Sequence, residues 1–443
     1  MEPITLGLIG FACALVMLAL RVPISFTLAG VSSSFIFLFF LNRGMDFERA
    51  LKPTLTMISG TAYDLVHSYD LSMIPLFILL GHIAYHTGMT SDIYKAARVW
   101  LMKLPGGVAM ASVLGCGGFS AISGSSMACA SAMGRICVPE MLEAKYDKKL
   151  ASASVAVGGT LGSLIPPSVL FILYGIFTEV SINQLFMAGV LPGIISMLAY
   201  LLVIFIWVKS SPGVAPGIEG DSQLSKLKVA LDCWPVLLLF FIIIGGIYSG
   251  FFTATEAAGV STMIAVIVGV KQKKLNMAKF LDSVKETCLQ STSIFFIAAG
   301  AKIFVGFIAL TGIAPEIAET ITSMDLSVWM LLIMIAVIYF VLGMFLDPLG
   351  IMVLTLPFLI PMVEGYGLNL IWFGVIIVKL LEISLITPPV GLNVFVIGSV
   401  VRGQVSVGEI FMGVTRFLLA DLLVLAAIIA FPIISLLLPN TSF

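Results

Sequence analysis

The sequence predicts an all-α polytopic membrane protein built from two inverted repeats. Hydrophobic residues make up 60% of the 443 positions and charged residues only 11%, whereas a soluble domain is about 25% charged. Many uncharged runs reach the roughly 20 residues that a helix needs to cross a bilayer. Motifs of the first half also recur, in the same order, in the second half. The formal net charge of −1 argues against nucleic acid as a partner.

Transmembrane helices, or parts of them, are predicted from the uncharged runs. These runs cover residues 3–20, 22–41, 71–90, 150–178, 180–208, 233–255, 326–346, 383–401 and 422–443. Taken as successive crossings, they put most of the 23 Lys and Arg residues on one side, including the cluster from Lys271 to Lys285. Positive residues mark the cytoplasmic side, so both termini are predicted to be periplasmic. No basic segment precedes the first run, so we expect an uncleaved helix.

Paired segments indicate an internal repeat. LGSLIPPSVLFILYG at 161–175 resembles ISLITPPVGLNVFVIG at 383–398, and their Pro-Pro pairs are 222 residues apart. HTGMTSDI at 86–93 recurs as LTGIAPEI at 310–317, at an offset of 224 residues. Two matches in the same order at nearly one offset predict that the halves share a structure.

Each repeat is predicted to hold five transmembrane helices and one re-entrant hairpin. Because five is odd, the second repeat must enter the membrane in the opposite sense, which is typical of secondary transporters. The predicted boundaries are 1–208 for the first repeat (hairpin about 107–140, broken helix about 151–176), 209–231 for a cytoplasmic linker, and 232–443 for the second repeat (hairpin about 327–363, broken helix about 371–400).

The first hairpin is predicted from SGSSMACASAMG at 123–134, which lies in an uncharged stretch with basic residues at both ends. Both ends are therefore expected to be cytoplasmic, so the stretch must enter the membrane and return. Non-helical backbone is tolerated at that depth only against protein or a wet cavity. Gly124 permits a sharp turn, and the surrounding hydroxyls and free carbonyls suit a hard cation. The alternative is that small residues let helices pack closely.

Each repeat also has a predicted broken helix with a Pro-Pro pair. In the first, Thr160 precedes Pro166 and Pro167. Two prolines leave upstream carbonyls free for a cation, and the restarted half-helix presents its positive end to an anion. A plain proline kink is the alternative. The matching residues of the second repeat are Thr387, Pro388, Pro389, Gly391 and Asn393.

The second hairpin is predicted from LGMFLDPLG at 342–350, which interrupts an apolar run. Asp347 is a lone carboxylate near its tip, and intramembrane acids are usually functional. Asp followed by Pro also starts a helix well, so helix capping is the alternative. Lys379 and Glu382, three residues apart, are expected to neutralise each other, and Glu256 is expected at a helix start.

No enzymatic activity is expected. The sequence contains no GxxxxGK(S/T) nucleotide motif, no HExxH motif and no recognisable catalytic constellation. We therefore expect no ATP hydrolysis, no cofactor and no metal beyond a coupling ion. An ion gradient is the remaining energy source for uphill transport.

The chain resembles the large membrane subunit of tripartite ATP-independent periplasmic (TRAP) transporters, the DctM-like family. The resemblance covers essentially the whole chain and rests on SGSSMACASAMG, IPPSVLFILYG, GFFTATEAAG, FLDPLGIMVLTLPFLIPM and ITPPVGLNVFV. It implies a Na⁺-driven importer of organic acids, such as C4-dicarboxylates or sialic acid, that works by an elevator motion in the bacterial cytoplasmic (inner) membrane. It also implies two partners, a small four-helix membrane subunit and a periplasmic substrate-binding protein.

The resemblance further implies Na⁺ sites at the two hairpin tips, against the two broken helices. Carried over, the Na⁺-binding residues are Ser123, Ser125, Ser126, Thr160, Pro166, Gly343, Asp347, Thr387, Pro388 and Gly391. A substrate pathway is predicted at Gly124, Pro167, Pro389 and Asn393. Two other classes remain open: a stand-alone ion-coupled organic anion carrier that needs no binding protein, and a gated channel with polar hairpins.

Overall fold

The computed structural model describes residues 1–216, 229 and 231–441, and the regular secondary structure of these residues is helical. The first half contains α1 (Pro3–Ala19), α2 (Ile24–Asn42), α3 (Phe47–Val66), α4 (Met73–His86), α5 (Met89–Leu101), α6 (Gly107–Ser123), α7 (Ser126–Glu143), α8 (Lys148–Leu164), α9 (Val169–Thr178) and α10 (Ile182–Ser210). The second half contains α11 (Trp234–Tyr248), α12 (Ala254–Lys271), α13 (Met277–Thr311), α14 (Ile313–Ser323), α15 (Val328–Gly343), α16 (Pro348–Gly365), α17 (Leu370–Ser384), α18 (Leu392–Val400), α19 (Val407–Ala430) and α20 (Ile433–Thr441). Most of the predicted linker at 209–231 lies outside the described residues.

The chain is an all-α polytopic membrane protein. Seven of the described helical segments, with α8 and α9 counted together as one, are long and apolar enough to cross a membrane, or eight if one bent pair forms a single span. That pair is α3 followed by the segment from Asp70 to the end of α4, and its two parts are bent by 59°. The helices α1, α6, α11 and α15 are apolar but shorter. Ten crossings and an inverted second half stay predictions.

Side-chain caps set where several helices begin. Asp147 accepts hydrogen bonds from the amides of Lys149 and Leu150, at 2.8 and 3.3 Å, so α8 starts directly after it. The Glu256 carboxylate accepts from the Thr253 amide at 2.9 Å, and the Thr253 hydroxyl accepts from the Glu256 amide at 3.3 Å. This reciprocal capping box confirms that Glu256 lies at a helix start.

The two halves share local structure at the segments that recur in the sequence. Gly88 and Gly312 have φ angles of 79° and 69°, and each directly precedes a short helix, α5 or α14. The bonds Pro166–Pro167 and Pro388–Pro389 are both cis. Helix–turn–helix pairs (α6–α7 and α15–α16) and interrupted helices (α8–α9 and α17–α18) follow in the same order. Re-entry of these pairs into the membrane stays a prediction.

The interrupted helices and the first hairpin form one bundle. Both α6 and α7 pack against α8, α8 packs against α19, and α18 packs against α7 and α8. The Asn393 side-chain amide donates to the Ala156 carbonyl at 3.3 Å and thereby joins the two interrupted helices. The long helix α13 packs instead against α2 and α4. Because α4 also contacts α6, the first hairpin connects this bundle to the α2–α4–α13 group.

Candidate functional site

The turn of the first hairpin has Gly124 at its centre. Its φ of 62° is in the left-handed region, and a Cβ at this position would lie 2.7 Å from the Pro167 carbonyl oxygen. The Gly124 carbonyl accepts a hydrogen bond from the Val169 amide at 3.2 Å. The Ser125 hydroxyl then caps α7 by accepting from the Ala128 amide at 3.4 Å. The turn is therefore fastened to the first break, and only glycine fits there without strain.

The first break joins α8 to α9. Pro166 and Pro167 have no amide hydrogen, so neither can donate to the carbonyls of Gly162 and Ser163 one turn earlier. The Ser168 hydroxyl donates to the Ser163 carbonyl at 2.5 Å and also caps α9. The Gly162 carbonyl thus lacks its usual helical donor, as the sequence predicts for a carbonyl one turn before the prolines.

Thr160 does not point its hydroxyl at the serines of the hairpin turn. The hydroxyl donates to the Val157 carbonyl at 2.8 Å and lies 3.2 Å from the Tyr200 hydroxyl. The side chain is 1% exposed, so it has no other access to solvent or ligand. A ligand role for Thr160 at the hairpin turn would therefore depend on its backbone carbonyl.

Asp347 occupies the N-cap position of α16 without capping it through its side chain. Its backbone is extended, with φ −76° and ψ 158°, and no side-chain capping hydrogen bond forms. The carboxylate nevertheless lies beside the backbone amides of Leu349 and Gly350, in the first turn of α16. Gly343, the last residue of α15, packs so tightly on Ser384 of α17 that a Cβ would overlap its side chain. The second hairpin is thus fastened to the second interrupted helix.

The second break is closed mainly by its own hydrogen bonds. The Thr387 hydroxyl donates to a carbonyl one turn earlier at 2.6 Å. The Asn393 amide donates back to the Leu385 carbonyl at 3.0 Å. Gly391 has a φ of 50°, and a Cβ there would lie 2.8 Å from the Phe411 ring. Asn393 is fully buried, and its side-chain oxygen has no hydrogen-bond partner among the described residues.

Both hairpin turns and both breaks contribute to one cavity of about 260 Å³, called the hairpin cavity below. Its walls include Gly124, Ser125, Ser126 and Met127 of the first hairpin, Ser163, Val169 and Leu170 of the first break, Asp347, Pro348 and Leu349 of the second hairpin, Leu385 of the second break, and Gln290, Ser293, Ile294 and Ile297 of α13. The other predicted residues do not line it: Ser123, Thr160, Pro166, Pro167, Gly343, Thr387, Pro388, Pro389, Gly391 and Asn393.

The hairpin cavity combines oxygen ligands with partially positive helix ends. Among the described lining residues, Asp347 is the one with a formal charge. The hydroxyls of Ser126 and Ser163 hydrogen-bond to each other at its wall. The N-termini of α7, α9 and α16 all reach the cavity. Carboxylate and hydroxyl oxygens suit a hard cation, and helix N-termini suit an anion, so the site can hold both side by side.

A buried ionic network lies behind the first break, and the sequence predicts only part of it. Lys379 Nζ lies 2.7 Å from Asp421 Oδ1 but 3.6 Å from Glu382 Oε2. The Tyr200 hydroxyl donates to the same Asp421 oxygen at 2.5 Å and also lies near Thr160. The expectation that Lys379 and Glu382 neutralise each other was therefore incomplete, because the shorter pair is with Asp421 on α19. The sequence signal was a lone acid directly before the uncharged run at 422–443.

A larger cavity of about 600 Å³ lies beside the loops that the charge distribution predicts to be periplasmic. Lys302 lines it together with Asp70 and Glu179. An intramembrane lysine usually faces a water-filled space or a partner. The structure thus places Lys302 on the wall of a cavity, which the sequence left undecided.

Comparisons with known proteins agree with this architecture. The sequence profile of the family described as "Tripartite ATP-independent periplasmic transporter, DctM component" matches residues 11–434. The C4-dicarboxylate TRAP transporter large permease protein DctM of Pseudomonas aeruginosa is 35% identical, over 84% of this chain and 86% of its own length. The sialic acid TRAP transporter large permease protein SiaM of Vibrio cholerae is 30% identical, over 94% and 95%. The solved Alcanivorax borkumensis YdaH transporter shares the fold, with a TM-score of 0.63, 14% identity and 89% of each chain covered.

Proposed function

The chain belongs to the DctM component family of tripartite ATP-independent periplasmic transporters, and we propose that it imports a small organic acid coupled to Na⁺. The substrate is a carboxylate, of the kind named for the relatives: a C4-dicarboxylate or a sialic acid. A periplasmic binding protein delivers it, and a small four-helix membrane subunit completes the complex in the bacterial inner membrane. The relatives are named permeases, so the proposed activity is transport without covalent chemistry.

The hairpin cavity is the observation that carries this proposal. Four interruptions of helical structure, distant in sequence, contribute to a cavity of about 260 Å³. Unpaired backbone in a membrane protein is tolerated where it lines a cavity, and secondary transporters build midplane sites in this way. The Asp347 carboxylate and the serine hydroxyls supply cation ligands, and three helix N-termini supply the attraction for a carboxylate.

The position of the cavity supports an elevator motion. One side of the cavity belongs to the hairpins and the interrupted helices, and the other side is α13. Movement of the hairpin bundle past α13 would carry the cavity from one face of the membrane to the other. Binding of Na⁺ beside Asp347 would offset the carboxylate charge and would thereby favour entry of the anionic substrate.

Reconstitution of the three components, with omission of each in turn, tests this function. We expect uptake of a radiolabelled organic acid into proteoliposomes only when the chain, the small subunit and the loaded binding protein are all present. Uptake by the chain alone would instead favour a stand-alone carrier. Currents far above carrier turnover would favour a channel.

A further inference from the structure

A second cavity, of about 240 Å³, adjoins the hairpin cavity. We call it the arginine cavity. Ser125 and Gln290 line both cavities, so the two share a wall at the first hairpin turn. One face of α7 lines the new cavity, because Ala128, Ser131 and Arg135 recur at helical spacing and all contribute to its wall.

Two of its polar groups have no partner. Arg135 is an exposed residue at the cavity wall, and its positively charged side chain makes no hydrogen bond or ion pair with any described residue. The Ser123 side chain is 4% exposed, and its hydroxyl has no hydrogen-bond partner among the described residues. Buried hydroxyls are normally satisfied, so an unpaired one on a cavity wall is available to a ligand.

The acidic group of this cavity is already engaged. One carboxylate oxygen of Glu286 lies 2.9 Å from His82 Nδ1 and 3.1 Å from His86 Nε2. The second ring nitrogen of His82 lies 3.3 Å from the Gln290 side-chain oxygen. Glu286 is thus held on the α4–α13 side by two histidines, and the guanidinium of Arg135 stays free for an incoming anion.

We propose that the arginine cavity is a second anion subsite, which takes the transported acid with a carboxylate group on Arg135 and with Ser123 as a donor nearer the hairpin turn. Arginine presents parallel N–H donors that match a carboxylate, and a lone positive charge in a cleft concentrates anions. Arg135 lies ten residues after Ser125, which places its backbone about 15 Å along α7 from the hairpin turn. A small acid therefore occupies the two subsites in succession, on a path towards the predicted cytoplasmic side.

This inference rests on the proposed function, because it assumes that the transported substrate is an organic acid. The test uses the reconstituted complex. Succinate, malate and sialic acid are first tried as substrates, and the acid that the wild type takes up is used. For Arg135→Gln, we expect the half-saturating internal concentration of that acid in exchange to rise about tenfold, as for a lost charged hydrogen bond. For Arg135→Lys, the half-saturating concentration of the acid should lie between the values for the wild type and Arg135→Gln. The half-saturating Na⁺ concentration should not change in either variant. The matched control is Arg402→Gln, because Arg402 is an exposed arginine on the loop between α18 and α19.

Binding of the acid can also be measured without transport, by protection of a cysteine in the arginine cavity from a thiol reagent. In a cysteine-free background, Ser131→Cys should react with a thiol reagent, and the acid should slow that reaction with Arg135 present but not with Arg135→Gln. An unchanged half-saturating concentration in Arg135→Gln, or equal protection in both backgrounds, overturns the subsite while leaving the proposed function intact. Failure of the wild type to take up any acid of the panel overturns the proposed function itself.

Discussion

Lys379 Nζ lies 2.7 Å from Asp421 Oδ1, and both side chains are excluded from solvent. The pair joins α17 to α19, and Ser196 of α10 accepts a further hydrogen bond from Lys379 at 3.1 Å. Tyr200 extends the network to Thr160 on α8. Four helices around the two breaks therefore share one set of polar contacts, which fixes their relative positions.

Lys379→Met should destabilise the protein strongly, because it leaves Asp421 and Glu382 buried without a positive charge. Breaking a buried ion pair in this way costs about 3–5 kcal/mol. Thermal unfolding in nanodiscs measures the loss. Adding Asp421→Asn should recover part of the stability, and Lys285→Met on the exposed face of α13 is the control. Equal stability of Lys379→Met and the control would contradict the structural role of the network.

Asp347→Asn should fold normally and lose Na⁺ affinity. The carboxylate lies beside the Leu349 and Gly350 amides in the first turn of α16, and Asn caps a helix about as well as Asp, so Asn at this position should not unfold α16. Loss of the carboxylate should raise the half-saturating Na⁺ concentration for uptake about tenfold or more. The control is Asp325→Asn, an exposed acid before the second hairpin. Wild-type uptake by Asp347→Asn at limiting Na⁺ would exclude the carboxylate from the cation site.

Gly124→Ala should abolish transport because its Cβ would meet the Pro167 carbonyl oxygen at 2.7 Å. Gly88→Ala is the matched control, since Gly88 also has a positive φ, 79°, but has open space around its Cβ position. Both variants carry the backbone strain of about 1–3 kcal/mol, and only one carries the clash. Measured uptake and thermal stability should both be lower for Gly124→Ala than for Gly88→Ala. If the two variants behave alike, the fit of the hairpin turn against the first break is not what constrains this glycine.

The predicted orientation is tested by two single cysteines in a cysteine-free background. Met324 lies between α14 and α15 and Gln404 lies between α18 and α19, and both positions are exposed. The inverted-repeat topology places Met324 outside and Gln404 inside. A membrane-impermeant thiol reagent added to intact cells should therefore label Met324→Cys and not Gln404→Cys. The reverse labelling would overturn the assignment of sides.

The hairpin turn and the helix breaks can be predicted from the sequence because they depend on local residue chemistry. Gly124 and the prolines at 166, 167, 388 and 389 interrupt a helix through their own backbone properties, so the turns and breaks need no tertiary information. The helix start at Glu256 was readable for the same reason, because a capping box involves residues three apart.

Tertiary pairings were not readable in the same way. Asp421 pairs with Lys379, which is 42 residues away. The local sequence around either residue gives no indication of this pairing. The rotation of Thr160 towards Tyr200 depends on how α8 packs against α10, which periodicity in a fully buried helix does not determine. The helix α3 is partly polar, with Asp46 as its N-cap, and was not among the predicted uncharged runs.

We propose that Na⁺ drives uptake through the hairpin cavity. The most direct measurement compares uptake of the radiolabelled acid into proteoliposomes with the small subunit and the loaded binding protein, under an inward Na⁺ gradient or an equal inward K⁺ gradient. We expect accumulation above the external concentration with Na⁺ and none with K⁺, and we expect Asp347→Asn to abolish the difference at limiting Na⁺. Equal accumulation with K⁺ would contradict it.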